Sequence, residues 1–152
     1  MNNIHSLYIH IPFCDKICDY CDFTKLQYFR NFASDYLKAL KDELNSYDIK
    51  RLKTIYVGGG TPTSLDDDLF LELLEIIDVY KNDVKEYTFE ANPESLSLNK
   101  IIMLKEHHVN RVSLGVETTN DRILKLVNRD HSFFQVQEAI KNLKDNGIDN
   151  IN

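Results

Sequence analysis

The sequence predicts an α/β fold, the N-terminal part of a partial (β/α) barrel with about four βα units and the start of a fifth strand. Two observations predict it. Short runs of β-branched and aromatic residues alternate with longer segments whose apolar residues recur every three or four positions, which is typical of parallel strands joined by helices. The glycine-rich and polar motifs follow strands, and the carboxyl ends of strands carry the active sites of such barrels.

The first two strands are predicted at 6–11 and 54–57, from compact β-branched and aromatic runs. A second helix is predicted to open at Ser64, because Ser64 and Asp67 have the spacing of a capping box and the acidic run 66–68 suits the positive end of a helix dipole. The first helix, at 31–47, is predicted to bury Phe32, Tyr36, Leu37, Leu40, Leu44 and Tyr47, and the second Leu69, Phe70, Leu73, Ile76, Ile77 and Tyr80.

The remaining units continue the alternation. Further strands are predicted at 87–91 and 111–116, with the start of a fifth at 148–152, and helices at 98–107, 121–127 and 133–144. Four complete units plus the start of a fifth strand would leave a parallel sheet with an open edge. Parallel sheets normally have both faces covered and their edges protected. We therefore expect residues 1–152 to be a single core domain at the N-terminal end of a longer protein.

The composition excludes two classes of function. The 24 acidic and 18 basic side chains give a net charge of -6, so a nucleic-acid footprint of clustered cations is not expected. No stretch approaches the roughly 20 apolar residues that span a bilayer, and residues 1–13 lack the basic start and unbroken apolar run of a signal peptide. We expect a cytoplasmic protein without a membrane span.

The three cysteines lie close together in the sequence. Cys14, Cys18 and Cys21 have the spacing C-x3-C-x2-C, directly after the first predicted strand. Three thiolates in a short loop can bind a four-iron cluster and leave one iron without a protein ligand, which is where chemistry occurs. The alternative is a structural zinc site, for which His5 or His10 would be the nearest fourth ligand.

The cysteine motif and its surroundings resemble a known superfamily. C-x3-C-x2-C with the aromatic Tyr20 before the last cysteine is similar to the radical S-adenosylmethionine superfamily, whose fold is a TIM-barrel-like partial barrel. The string Tyr-Ile-His-Ile-Pro-Phe-Cys that ends at Cys14 resembles the oxygen-independent coproporphyrinogen III oxidase family. Within it, Cys21-Asp22-Phe23 resembles the heme-chaperone (HemW-type) branch, since the oxidases commonly carry a further cysteine where this chain has Phe23.

The resemblance implies a 4Fe-4S cluster on the three cysteines, with S-adenosylmethionine on the open iron. It implies that the segment Gly58-Gly59-Gly60-Thr61-Pro62 contacts the amino group of that cofactor and that Glu90 binds its ribose hydroxyls. It also places Tyr8 near the methionine moiety. From the residues alone, the glycines can equally form a tight turn, Glu90 can be a solvated acid, and Tyr8 can be a core aromatic.

A second S-adenosylmethionine site is implied by three further positions. Tyr20 and Arg129 match family residues near that molecule, and an Arg can bind a carboxylate through two hydrogen bonds. Glu117 stands where the family usually has Gln, and an ionised carboxylate only accepts hydrogen bonds. With this departure, the sequence does not decide whether the second site is kept. Arg129 can equally be a solvated surface residue.

The resemblance implies a heme chaperone that binds heme or a porphyrin and transfers heme to an acceptor protein. An electron donor such as flavodoxin or ferredoxin is implied for the cluster. The enzymatic alternative is an anaerobic coproporphyrinogen III oxidase, which decarboxylates two propionates in porphyrin biosynthesis. A structural zinc-binding domain is the alternative from another class, and whether the chain is an enzyme stays open.

Overall fold

The computed structural model describes residues 4–152. Strands and helices alternate along these residues after a short, loop-rich N-terminal region. The elements in chain order are β1 (Ser6–Ile11), β2 (Phe13–Cys14), β3 (Leu26–Gln27), α1 (Arg30–Asn45), β4 (Thr54–Gly59), a 3-10 turn (Pro62–Ser64), α2 (Asp67–Asp78), β5 (Glu86–Ala91), α3 (Leu98–Glu106), β6 (Arg111–Leu114), α4 (Asp121–Leu126), α5 (Phe133–Asp145) and β7 (Asn150–Ile151).

The main sheet is parallel throughout and has the strand order β1-β4-β5-β6-β7. Each strand therefore pairs with the next long strand along the chain, as successive βα units require. In the register, Ile11 pairs with Gly59, and Glu90 pairs with Ser113. The α/β fold with a parallel sheet is confirmed, and the carboxyl ends of the strands meet along one edge.

The two faces of the sheet differ in chemistry because successive side chains of a strand point to opposite faces. One face is apolar and packs against the helices, with Ile9, Val57, Phe89 and Val112 aligned across four strands and at most 2% exposed. The other face carries polar side chains, including His10, Tyr56, Glu90 and Ser113. The polar face is the one available for a ligand.

The helices cover the apolar face, and α1 does so with a slightly different set of residues than predicted. Ala33, Leu37, Leu40 and Leu44 are buried, at spacings of four and three. Phe32 was predicted in this face but is 66% exposed, because Ala33 occupies the inward position. Tyr47 lies beyond the helix and is 53% exposed. No helix among the described residues is both long and apolar enough to cross a membrane.

Two predicted boundaries are wrong for tertiary reasons. Ser64 does not cap α2, because it lies buried in the 3-10 turn and its hydroxyl accepts a hydrogen bond from the Asp15 N–H (3.3 Å). Asp66 is the N-cap residue of α2 instead, and Arg30 pairs with Asp66 and with Asp68 of the acidic run. The strand predicted at 111–116 ends at Leu114, since the chain turns there and Glu117 has a φ of 59°.

Candidate functional site

The cysteine loop, residues 14–21, begins at the carboxyl end of β1, where the pair β2–β3 holds its first cysteine. The Leu26 N–H donates to the Pro12 carbonyl (2.6 Å) and the Tyr28 N–H donates to the Cys14 carbonyl (2.8 Å). Cys14 is buried, whereas Cys18 and Cys21 are half-buried, and all three are free thiols. The first ligand candidate is thus fixed to the sheet, and the other two lie in irregular structure.

The three thiols lie close enough to influence one another. Burial raises the pKa of the Cys14 thiol, a hydrogen bond from Thr61 opposes the rise, and the negative charges of Cys21 and Cys18 add to it. Like charges in one place disfavour ionisation unless a cation neutralises them. A positive charge bound at the loop would therefore favour the ionised thiols.

A cavity of about 420 Å³ opens beside the cysteine loop at the carboxyl edge of the sheet. Ten of the eleven candidate residues line it: Cys14, Cys18, Tyr20, Cys21, Gly59, Gly60, Thr61, Glu90, Glu117 and Arg129. The eleventh, Tyr8, does not line the cavity. Topology thus brings residues from five separate regions of the chain to one place.

Glu90 is held by two donors from β4. The Tyr56 hydroxyl donates to Oε1 (2.6 Å) and the Gly59 N–H donates to Oε2 (2.9 Å). Each carboxylate oxygen has two lone pairs, so each keeps one for a ligand. A Cβ on Gly58 would lie 2.5 Å from this carboxyl group, which explains why glycine precedes Gly59. Glu90 is therefore an oriented acceptor rather than a solvated acid.

Gly59 and Gly60 allow the backbone after β4 to approach the backbone of Phe13 closely. Gly59 has a φ of +114°, which L side chains rarely adopt, and a Cβ on Gly60 would lie 2.6 Å from the Phe13 carbonyl oxygen. Next to them, the Thr61 hydroxyl donates to Cys14 Sγ (3.5 Å) and accepts from the Asn92 amide (3.1 Å). The segment thus packs directly against the cysteine loop.

Arg129 is a buried charge, 7% exposed, so the interpretation as a solvated surface residue is wrong. Its Nη2 donates to the Gly115 carbonyl (2.6 Å) and to Asn92 Oδ1 (3.1 Å) and lies 3.5 Å from Glu117 Oε1. Its Nη1 donates to Cys18 Sγ (3.8 Å). Its buried Nε has no hydrogen-bond partner among the described residues. A buried donor without a partner costs free energy, which makes it a candidate ligand contact.

The two tyrosines differ in position. Tyr20 lines the cavity and is 46% exposed. Burial raises its pKa, the positive charge of Arg129 opposes this, and the negative charge of Glu117 adds to it. Tyr8 is 57% exposed, so it is not a core aromatic. Its hydroxyl lies 2.9 Å from His10 Nδ1, and its ring lies 6.0 Å from the ring of Tyr56.

The alternative of a single zinc ion requires closely grouped donors. Among the described residues, no three His, Cys, Asp or Glu side chains are grouped closely enough for a single metal ion. Sulfur ligands of one zinc ion lie about 3.8 Å apart, whereas a cubane takes each thiolate on a different iron. His10 is not free as a fourth ligand, because its ring contacts Tyr8 and the Thr24 carbonyl (2.9 Å), and His5 is exposed.

Sequence reasoning missed three residues that organise the site. Tyr56 orients Glu90, and strand alternation offered a signal, since Tyr56 lies on the same face of β4 as Gly58. Asn92 joins Arg129 to Thr61 and directly follows β5. His131 is buried, lies 3.1 Å from Glu94 Oε2 and 37 residues from it in sequence, and has no local signal.

A scan against family models matches residues 8–152 to the radical SAM superfamily. The chain belongs to the radical S-adenosylmethionine superfamily. Membership implies a 4Fe-4S cluster and S-adenosylmethionine as cofactors. The sequence resemblance to this superfamily is confirmed, and with it the TIM-barrel-like class of the fold.

Two curated relatives and one solved structure are similar to this chain. The chain is 42% identical over 153 residues to the heme chaperone HemW of Bacillus subtilis (strain 168), covering 96% of this chain and 40% of that protein. It is 41% identical over 151 residues to HemW of Lactococcus lactis subsp. lactis (strain IL1403), covering 97% of this chain and 39% of that protein. The structure of coproporphyrinogen III oxidase (HemN) from Escherichia coli matches with a TM-score of 0.88 and 27% identity, over 98% of this chain and 36% of that one.

These likenesses confirm the resemblance to the HemW and HemN family. The chain spans about 40% of the length of the curated relatives that it matches. Their whole-protein activities therefore bear on this chain as proposals.

Proposed function

We propose that this protein binds a 4Fe-4S cluster through Cys14, Cys18 and Cys21 and presents the fourth iron to S-adenosylmethionine. One observation carries the proposal: three free thiols border a cavity whose other walls carry Glu90 and Arg129. Two of the three sulfurs accept hydrogen bonds from side chains, which stabilise thiolate ligands.

We assign the cavity residues to parts of the cofactor. The backbone of 59–61 takes the amino group, and Glu90 accepts hydrogen bonds from the ribose hydroxyls through its free lone pairs. Tyr8 lies outside the cavity wall, and only the family resemblance assigns it to the methionine moiety. When cluster and cofactor are bound, they supply one-electron cleavage of a carbon–sulfur bond, with the electron from a flavodoxin or ferredoxin. The chain's own residues bind, orient and exclude water.

The second cofactor site is the finer part of this assignment. Tyr20 offers a ring at the cavity wall, and Arg129 has a buried donor without a partner. Glu117 lies beside that guanidinium, so its negative charge is partly neutralised. We propose that Tyr20, Glu117 and Arg129 contact a second S-adenosylmethionine molecule.

For the whole protein we propose a heme chaperone that binds heme or a porphyrin and hands heme to an acceptor protein. The relatives at 41% and 42% identity are named heme chaperones. Residues 1–152 of this chain would correspond to the radical SAM core domain of such a protein. Phe23, in place of a further cysteine, supports the same branch. The alternative, an anaerobic coproporphyrinogen III oxidase, is favoured by the structural match to HemN.

The first experiment is anaerobic reconstitution followed by electron paramagnetic resonance of the reduced protein, with and without S-adenosylmethionine. We expect a four-iron signal that changes when the cofactor is added. Cys14→Ala, Cys18→Ala and Cys21→Ala should each lose the cluster, while the matched control Asp19→Ala, an exposed non-ligand of the same loop, should keep it. A cysteine variant that still held four irons, or zinc in place of iron, would overturn the assignment.

A second experiment separates the chaperone from the oxidase. Heme titration followed by absorption spectroscopy should show binding and transfer to an acceptor protein for a chaperone. Conversion of coproporphyrinogen III by the reconstituted protein would instead establish the oxidase. The cluster assignment is independent of this outcome.

A further inference from the structure

A second loop contacts the cysteine loop from the far end of the sequence. Residues 16–18 of the cysteine loop meet residues 128–130, which connect α4 to α5. The three contacts are an ion pair between Lys16 and Asp130, a hydrogen bond from the Asn128 side-chain amide to the Ile17 carbonyl (2.9 Å), and the hydrogen bond from Arg129 Nη1 to Cys18 Sγ (3.8 Å). Three consecutive residues of one loop thus hold three consecutive residues of the other.

The contacting loop is itself fixed to the sheet. The Arg129 side chain donates to the Gly115 carbonyl, and the buried His131 ring lies 3.3 Å from the Val116 carbonyl, both just beyond β6. Asn128 has a φ of 62°, and the Arg129 N–H donates to the Leu124 carbonyl (2.9 Å) at the end of α4. Residues 128–130 are therefore tied by hydrogen bonds to the end of β6 and to α4.

The cysteine loop needs such support at Cys18. Cys14 is fixed by β2–β3, but Cys18 lies outside helices and strands. The Cys21 N–H donates to the Cys18 carbonyl (3.2 Å), so the position of Cys21 follows that of Cys18. A support that places Cys18 therefore places two of the three candidate ligands.

We propose that residues 128–130 form a clamp that positions Cys18 and Cys21 before metal binding and slows loss of the cluster. The proposal deepens the proposed function and rests on cluster binding by the cysteine loop. Groups that orient metal ligands from behind change metal affinity about 10–100-fold when they are removed. Within the clamp, Asn128 and Asp130 are positioning residues, since they act on Cys18 through its neighbours Ile17 and Lys16.

The test uses the double variant Asn128→Gly, Asp130→Asn. Glycine keeps the left-handed backbone of position 128 and removes the amide, and asparagine removes the charge of position 130. The matched control is Asp145→Asn, which breaks an exposed pair with Lys141 on α5 (2.6 Å). Hydrogen exchange of residues 15–22 is measured on metal-free protein, and iron release to a chelator is measured on reconstituted protein.

We expect faster exchange in residues 15–22 with unchanged exchange in β4, and iron release about tenfold faster than in the wild type and the control. If the double variant does not fold, Asp130→Asn alone, at a half-exposed site, should show the same changes to a smaller degree. A double variant that loads the cluster and shows the hydrogen exchange and iron release of the wild type would overturn the clamp proposal alone. Wild-type protein that loads no cluster would overturn the proposed function as well.

Discussion

Replacing Glu90 by Gln tests how the cavity orients its carboxylate. The carboxylate accepts from the Tyr56 hydroxyl (2.6 Å) on one oxygen and from the Gly59 N–H (2.9 Å) on the other. An amide has one accepting oxygen and one donating nitrogen. In Glu90→Gln, the amide oxygen can keep the Gly59 N–H, while the amide nitrogen faces the Tyr56 hydroxyl, which must turn from donor to acceptor. Two hydrogen bonds to a charged group therefore become neutral ones.

The expected size follows from the loss of charge at both hydrogen bonds. A hydrogen bond to a charged group contributes about 1.5–3 kcal/mol and a neutral one about 0.5–1.5 kcal/mol. Because Glu90 is half-buried, the expected loss over both bonds is about 1.5 kcal/mol. For about 1.5 kcal/mol, the melting temperature of a chain of this length falls by about 3–6 °C. S-adenosylmethionine binding should weaken by about 1–3 kcal/mol, because the lone pairs assigned to the ribose are lost or turned.

The variant also predicts a change at high pH. Burial, together with the hydrogen bond to Glu90 and its charge, raises the pKa of Tyr56 to about 12, from a usual value of 10.0. A raised folded-state pKa contributes stability that is complete below pH 10 and is lost as the pH rises towards 12. Glu90→Gln should lower the pKa of Tyr56 and reduce this alkaline loss.

Thermal unfolding of metal-free protein, calorimetry with S-adenosylmethionine and NMR titration of labelled tyrosine measure these effects. Glu75→Gln is the matched control, since Glu75 is exposed on α2 and loses the same charge. If Glu90→Gln has the same melting temperature as Glu75→Gln and binds the cofactor with wild-type affinity, Glu90 is not the oriented acceptor described above.

The remaining predictions concern three other positions. Gly60→Ala should prevent cluster loading, measured as bound iron, because its Cβ would lie 2.6 Å from the Phe13 carbonyl oxygen; normal loading would show that the backbone adjusts freely. Ser132→Ala should cost about 1 kcal/mol in urea unfolding by removing the capping box of α5, and no change would contradict that role. Burial raises the pKa of Glu94, but the hydrogen bond to His131, a backbone hydrogen bond and the positive charges of Arg129 and His131 together outweigh it, so the net shift is downward. Stability should therefore fall as the pH drops below 4.5, and His131→Ala should flatten this dependence.

The strands were predictable because their signals are local. Residues 6–11 and 54–57 combine β-branched and aromatic side chains, and the observed strands Ser6–Ile11 and Thr54–Gly59 begin where predicted. Helix caps were not predictable, because tertiary contacts compete for the same hydroxyl. Ser64 has the spacing of a cap but bonds to Asp15, whereas Ser132 and Gln135 form the capping box that the structure contains.

The same distinction divides the site. The positions of residues at strand ends, such as Glu90, were predictable, because parallel strands bring their carboxyl ends to one edge of the sheet. The contact between Cys18 and Arg129 joins residues 111 positions apart. It depends on the conformation of two irregular loops at once, and spacing in the sequence carries no information about either.

Glu117 shows how burial changes the meaning of a substitution. From the sequence, an acid in place of the usual Gln removes a hydrogen-bond donor and adds a negative charge. In the structure, Glu117 lies 3.5 Å from the Arg129 guanidinium, which is 7% exposed and also reaches Cys18. The ion pair with Arg129 partly neutralises the negative charge of Glu117, but it also occupies part of the Arg129 guanidinium. Glu117→Gln should therefore strengthen binding of a carboxylate ligand at Arg129, and unchanged affinity in calorimetry would show that Glu117 does not restrict the site.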